Sequence, residues 1–283
     1  MIDRRGFLVG ATAMLAACGR DGGGGSTDAA ARPLGIQLYT VRDLMAEDVG
    51  ATLDLVASIG YGEVELAGLF DHTPAEFRRL LDAAGLTAPS SHVQYAALAA
   101  HTESIISAAA ELGHRYVTVP FLAEDQRSLD DYRRHAENFN RWGEACRVAG
   151  LRFAYHNHMF EFEETDGVIP YDLLLSETDA GLVAMQLDLA WAHGGGADAV
   201  SYFESWPGRF PMVHIKDLND ANEEVDIGDG GVHFAEIFRH VAAAGLEHGF
   251  IERDHAADVR ASIRNNYDAI RPLWDDAMRT PVS

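Results

Sequence analysis

Ala149-Gly150-Leu151-Arg152-Phe153-Ala154-Tyr155-His156-Asn157-His158 holds, within ten residues, a helix stop, a β-rich run and a polar end. Glycine just past a helix takes the left-handed conformation that ends it, without a Cβ penalty. The same Ala-Gly-Leu step returns at 84–86 and 244–246, and Gly60 and Gly113 stand in the same place ahead of other runs. The β-rich runs cover 35–39, 63–66, 87–92, 116–119, 152–156, 183–188, 212–216 and 250–252. Between them, apolar residues recur at helical spacing: Leu53, Val56, Ala57 and Gly60; Phe77, Leu80, Leu81 and Ala84; Ile105, Ala108, Ala109 and Leu112; Phe139, Trp142, Ala145 and Cys146. Eight strand-then-helix units predict an α/β fold, a parallel (β/α)8 TIM barrel over residues 34–276. An open, doubly wound sheet is the competing architecture, but no GxGxxG follows the first strand to support it.

The composition narrows the partners. Of 283 residues, 47% are hydrophobic and 23% charged, ordinary for a globular chain. Lys and Arg number 22 against 44 Asp and Glu, a net charge of -22 that repels nucleic acid and anionic lipid heads. Two cysteines exclude a disulfide scaffold and a CxxC zinc site. Cys146 then has no intrachain partner and reads as a buried thiol. At the N-terminus, Asp3-Arg4-Arg5-Gly6-Phe7-Leu8 places paired arginines before an apolar run that ends at Ala17. The run is shorter than the ~20 residues that span a bilayer. It resembles a twin-arginine export signal, and Leu15-Ala16-Ala17-Cys18 resembles a lipobox, which makes Cys18 the expected lipidation site. The expected organisation is a signal peptide at 1–17, a Gly-rich tether at 18–33 and the barrel beyond. The expected location is the periplasmic side of the envelope, held to the membrane only by the lipid anchor.

Catalytic groups of an eightfold barrel lie at the C-terminal strand ends. In chain order those ends carry Gln37 and Tyr39, Glu65, His92, His156 and His158, Asp188, His214 with Lys216, and Glu252. Ending successive strands in His, Asp, His and Glu gathers costly polar groups around one mouth, and such a set suits a divalent ion. Singly, each residue has a plainer reading: a hydrogen-bonded core histidine, a helix N-cap at Asp188, a salt bridge from Glu252 to Lys216 or Arg253. Lys216 itself reads equally as a partner of Asp217, Glu252 or Glu65. His72, His101, His114, His135, His240 and His248 fall on helices or turns and read as surface or packing residues.

The pieces "GIQLYTVRD" (35–43), "GYGEVELAG" (60–68), "SSHV" (90–93), "YHNHMFEF" (155–162), "LDLAWA" (187–192), "VHIKD" (213–217), "IGDGGVHF" (227–234) and "IERD" (251–254) resemble the sugar phosphate isomerase/epimerase family, with its xylose isomerase-like barrel. In the family's ketose epimerases, Glu, Asp, His and Glu from strands five to eight bind Mn, Zn, Co or Mg. Asp188, His214 and Glu252 match the last three. The first is replaced by histidine, with His156 taken as the ligand and His158 as acid/base, or the two exchanged. The resemblance implies proton transfer by Glu252 and His158, Lys216 stabilising a developing oxyanion, and an enediolate on the path. Gln37, Tyr39, Glu65, His92, Glu161 and Trp191 are expected to contact a small-molecule sugar. Glu161 and Glu163 read alternatively as a solvated acidic loop, and Trp191 as a rim core residue. The loop at 227–231 resembles an anion cradle, but Asp226 and Asp229 beside it disfavour phosphate. The expected function is a metal-dependent isomerase or epimerase acting on a free, glycosidic or keto-sugar. A keto-glycoside lyase or dehydratase and a non-catalytic sugar-binding lipoprotein are the alternatives. A homo-oligomer is compatible with the sequence.

Overall fold

The computed structural model describes residues 32–279. The expected signal at 1–17, the lipidation site Cys18 and the tether up to residue 31 lie outside the described residues. Eight parallel strands close into a barrel: β1 (Gly35–Gln37), β2 (Glu63–Leu66), β3 (Thr87–His92), β4 (Tyr116–Val119), β5 (Arg152–His156), β6 (Val183–Asp188), β7 (Met212–Ile215) and β10 (His248–Ile251). β10 pairs with both β7 and β1. A two-stranded antiparallel hairpin, β8 (Asp217–Leu218) with β9 (Glu224–Val225), follows β7.

Three strand boundaries differ from the sequence reading, each for a local reason. β1 stops at Gln37, whose side chain accepts the Tyr39 N–H and caps a 3-10 turn over Leu38–Val41. β7 stops at Ile215 because the chain turns into the hairpin. β10 begins at His248, where Gly249 lets the Trp274 ring lie against the strand: a Cβ at that position would meet the ring at 2.5 Å.

The helices carry the apolar spacing and glycine stops that the sequence promised, and add caps that it did not name. Pro74–Ala84 starts on a Thr73/Glu76 capping box and ends at Gly85, with φ of 71°. Leu129–Val148 buries Phe139, Trp142 and Cys146, and the first two rings pack on Phe153 of β5. Burial pushes the Cys146 thiol up to about 12. His114 and His135 are buried packing residues, and His240 meets Glu204 near the surface. Among the described residues, no helix is long and apolar enough to cross a membrane.

Side chains alternate across a strand, so every second residue faces the barrel interior. Tyr116, Ala154, Ala184, Met212 and Phe250 form an apolar cluster of their own, separate from the main core. Two residues further along the same strands stand His156, Gln186, His214 and Glu252, and Asp188 follows Gln186 on the same side. An apolar layer is thereby overlain by a polar one, and the polar one faces the mouth.

Candidate metal centre

His156, Asp188, His214 and Glu252 converge. One ligand atom from each lies within 4.8 Å of the others, and all four residues are buried. The β6–β7 register places Asp188 directly beside His214. His156, not His158, supplies the histidine from β5 to this group.

The plainer readings of two of these residues also hold, for one oxygen each. Asp188 Oδ1 accepts the backbone N–H groups of Ala190 and Trp191, both at 2.9 Å, and caps the following helix. Its second oxygen, Oδ2, is buried without a partner, and so is His156 Nδ1. Glu252 is bonded through one oxygen, Oε2, to Lys216 Nζ at 3.1 Å and to His214 Nδ1 at 2.8 Å. Buried polar atoms are normally hydrogen-bonded, so an unpartnered carboxylate oxygen and an unpartnered imidazole nitrogen in one cluster call for a ligand. Two imidazoles and two carboxylates suit Zn, Mn or Co, and also Mg less closely. The residues present therefore fit a divalent ion.

The charges are interlocked. Burial alone would lower His214, but Glu252 and Glu65 on either side raise it to about 10. Burial raises Asp188 to about 6 against the pull of Lys216 and His214. Burial would also raise Glu252, yet Lys216 and His214 hold it well below the usual carboxylate range. Lys216 donates to Glu224 at 3.0 Å, to Glu252 and to Asp254 at 2.9 Å, and its ammonium lies 4.9 Å over the Trp191 ring. Of its three expected partners only Glu252 is one. Glu224, on β9, had no signal in the sequence, since a two-residue strand has no periodicity. Asp254 sits at the end of the quoted "IERD" and could have been named from it.

Several residues expected at the substrate face the protein instead. Glu65 is fully buried and bonded to its neighbours, and Gln37, also buried, donates to Glu65 at 2.8 Å and accepts from Tyr39. Glu161 is not on a solvated loop: it is fully buried beneath His158, accepting the Tyr155 hydroxyl and, at 2.8 Å, the His158 N–H. Burial raises it to about 7. Both its oxygens are taken by these protein donors, whereas Glu163 is exposed. His158 lies between the Phe160 and Trp191 rings, 5.7 Å and 6.0 Å away and nearly parallel to both. Burial first, then Lys216, lower it to about 3. His92 donates to Gln186 at 2.8 Å and stacks on His214. Tyr39 is 45% exposed at the rim with the Arg42 guanidinium over its ring, and Trp191 is half-buried beneath Lys216.

The loop at 227–231 is organised from within. The Asp217 carboxylate accepts the N–H groups of Gly228, Gly230 and Val232 at 2.9 to 3.1 Å. A Cβ at Gly230 would lie 2.2 Å from that carboxylate, which explains the glycine. Those amides are already taken and offer no cradle to a phosphate.

A family model, the xylose isomerase-like TIM barrel, matches residues 53–265. The chain belongs to that family. The crystal structure of a sugar phosphate isomerase/epimerase from Parabacteroides distasonis ATCC 8503 superposes with a TM-score of 0.75 at 26% identity, over 88% of this chain and 97% of that one. The inosose dehydratase of Lacticaseibacillus casei is 24% identical over 172 residues, 54% of this chain and 57% of that protein. The chain thus spans little more than half the length of that curated relative. The IOLI protein, solved with a zinc atom, shares the fold at a TM-score of 0.69 and 13% identity, over 87% of this chain and 99% of that one.

Proposed function

We propose that this protein is a divalent-metal-dependent enzyme that removes a proton beside the carbonyl of a keto-sugar or keto-glycoside and eliminates the neighbouring oxygen, a lyase or dehydratase. The observation that carries the reading is the four-residue cluster with its unpartnered oxygen and nitrogen, set beside a buried lysine. A divalent ion held by His156, Asp188, His214 and Glu252 would polarise the carbonyl.

The chain's own groups supply the rest. Glu252 takes the proton. The electron pair moves to the carbonyl oxygen, where the Lys216 ammonium, fixed by Glu224, Glu252 and Asp254, meets the growing negative charge. As the carbonyl re-forms, the C–O bond at the next carbon breaks, and Glu252 returns its proton to the departing oxygen. Water or an alcohol leaves, and a C=C bond remains. Glu224, Glu252 and Asp254 bond Lys216, Asp188 at the end of β6 caps a helix through one oxygen, and His158 lies between Phe160 and Trp191. In this reading Glu252 alone relays the proton, which suits elimination, because epimerisation needs a proton relay on each face. The dehydratase likeness supports the same choice.

The second reading is an isomerase or epimerase, favoured by the Parabacteroides likeness over 88% of the chain. Incubation with keto-sugars and keto-glycosides in D2O, followed by NMR, separates the two. Elimination yields an unsaturated ketone and a released water or alcohol. Epimerisation yields deuterium at one carbon with the formula retained. Binding without conversion across the panel would leave only a sugar-binding protein, and turnover that persists after complete chelation would remove the metal from the proposal. We also propose export and lipidation at Cys18, which would bring free sugars and glycosides, not phosphorylated ones, to the site. Mass spectrometry of the mature N-terminal peptide tests it.

A further inference from the structure

We infer that Glu65 is a positioning residue: from beneath the mouth it fixes the ring of His214 so that Nδ1, not Nε2, is the nitrogen offered to the metal ion. The inference rests on the metal-centre reading above and assigns a role to a residue that touches no substrate. Glu65 stands on β2, and its carboxylate gathers side chains from four other strands. Oε1 accepts Ser90 Oγ at 2.6 Å and Gln186 Nε2 at 2.8 Å. Oε2 accepts Gln37 Nε2 at 2.8 Å and His214 Nε2 at 2.6 Å, and the His92 Nε2 that donates to Gln186 lies 3.1 Å from it. A carboxylate offers about four lone-pair sites, so both oxygens are filled by protein donors and none is left for a sugar hydroxyl.

The network also has a direction. An ionised carboxylate only accepts, so His214 Nε2 carries the proton that points at Glu65. Gln186 gives its amide N–H to Glu65 and therefore turns its carbonyl oxygen to His92, which donates from Nε2. With Nε2 committed downward, the remaining nitrogen of His214 is the one beside Glu252, a member of the same four-residue cluster as Asp188 and His156. A carboxylate on the far nitrogen of a ligating histidine fixes its tautomer and orientation, and loss of such a partner typically lowers metal affinity about 10- to 100-fold.

The test uses the full chain with Zn2+ and Mn2+ as probes, titrated against a chelating dye. Glu65→Gln should bind each ion about 10- to 100-fold more weakly than wild type, with the substrate KM unchanged once metal saturates. Unchanged metal affinity with a raised KM would make Glu65 a substrate contact and overturn the inference. Nitrogen-15 NMR of histidine-labelled wild type covers the case in which the variant does not fold. A His214 that keeps its Nε2–H in the presence of Zn2+ and shifts at Nδ1 supports the inference; metal on Nε2 overturns it. If wild type binds neither ion, the metal-centre reading falls on its own. The ion-free spectrum then decides for Glu65: a hydrogen-bonded Nε2–H on His214 retains the clamp, and its absence removes it.

Discussion

The barrel has a Glu–His contact at each end, and the two ends behave differently. At the floor, His248 Nδ1 meets Glu63 at 2.8 Å beside Tyr116 and Phe250. At the mouth, His214 lies between Glu252 and Glu65 and within reach of Asp188 and His156. Both ends leave atoms without partners, among them His248 Nε2 and the Tyr116 hydroxyl at the floor. Only at the mouth do three or more ligating groups converge: among the described residues, both sets that could hold an ion include His156 and His214. Residue type is therefore a poor guide to function in this barrel. What separates the ends is how many strands deliver a lone pair to one point, and that follows from the strand ends on which the polar residues fall.

The comparison breaks most visibly if the mouth can lose its carboxylate without consequence. Glu252→Gln removes the proton acceptor and one of the ligands, and turnover should fall roughly 10²- to 10⁴-fold, the range for loss of a general base. The measurement is kcat/KM at saturating metal, alongside circular dichroism to show that the barrel persists. A variant that turns over within a few-fold of wild type would place the chemistry elsewhere. At the floor, Glu63→Ala leaves His248 Nδ1 buried and unpaired, which costs about 1–3 kcal/mol of stability. Denaturant unfolding should register that loss while metal stoichiometry stays the same. Metal loss in the floor variant would mean that the two ends are coupled.

Much of the frame was legible because short-range rules govern it. A glycine past several of the helices, a 3.6-residue apolar period and eight repeats suffice for a closed parallel barrel, and four polar strand ends suffice for a shared centre. Long-range geometry was not legible. Gln37 and Glu65 carry polar side chains at strand ends just as His214 does, yet they lie below the mouth and bond each other. Glu224 reaches Lys216 only through a hairpin of two-residue strands. Glu161 sits in a run of acidic residues that suggests solvent, but the turn over Phe160–Phe162 swings it under His158, where Tyr155 meets it. Asp217 read as a partner of Lys216 and proves to be the hub of the 227–231 loop.

The smallest expected effect concerns that buried Glu161, which supports the loop after β5, beneath the mouth. Burial raises its carboxyl from 4.5 to about 7 in the folded chain. Between those two values the folded protein binds more protons than the unfolded one, so stability contributed by this group is complete below about pH 4.5 and is lost as pH rises through 7. Glu161→Gln keeps an acceptor for the His158 N–H and cannot ionise. Its melting temperature should therefore decline less than that of wild type between pH 4.5 and pH 7.5, and the gap should close again on the acid side. Every other titrating group contributes to both curves, so their difference isolates this one. Parallel curves would mean that the Tyr155 hydroxyl and the His158 N–H stabilise the ionised carboxylate enough to cancel its burial, and the loop beneath the mouth would then owe nothing to a neutral Glu161.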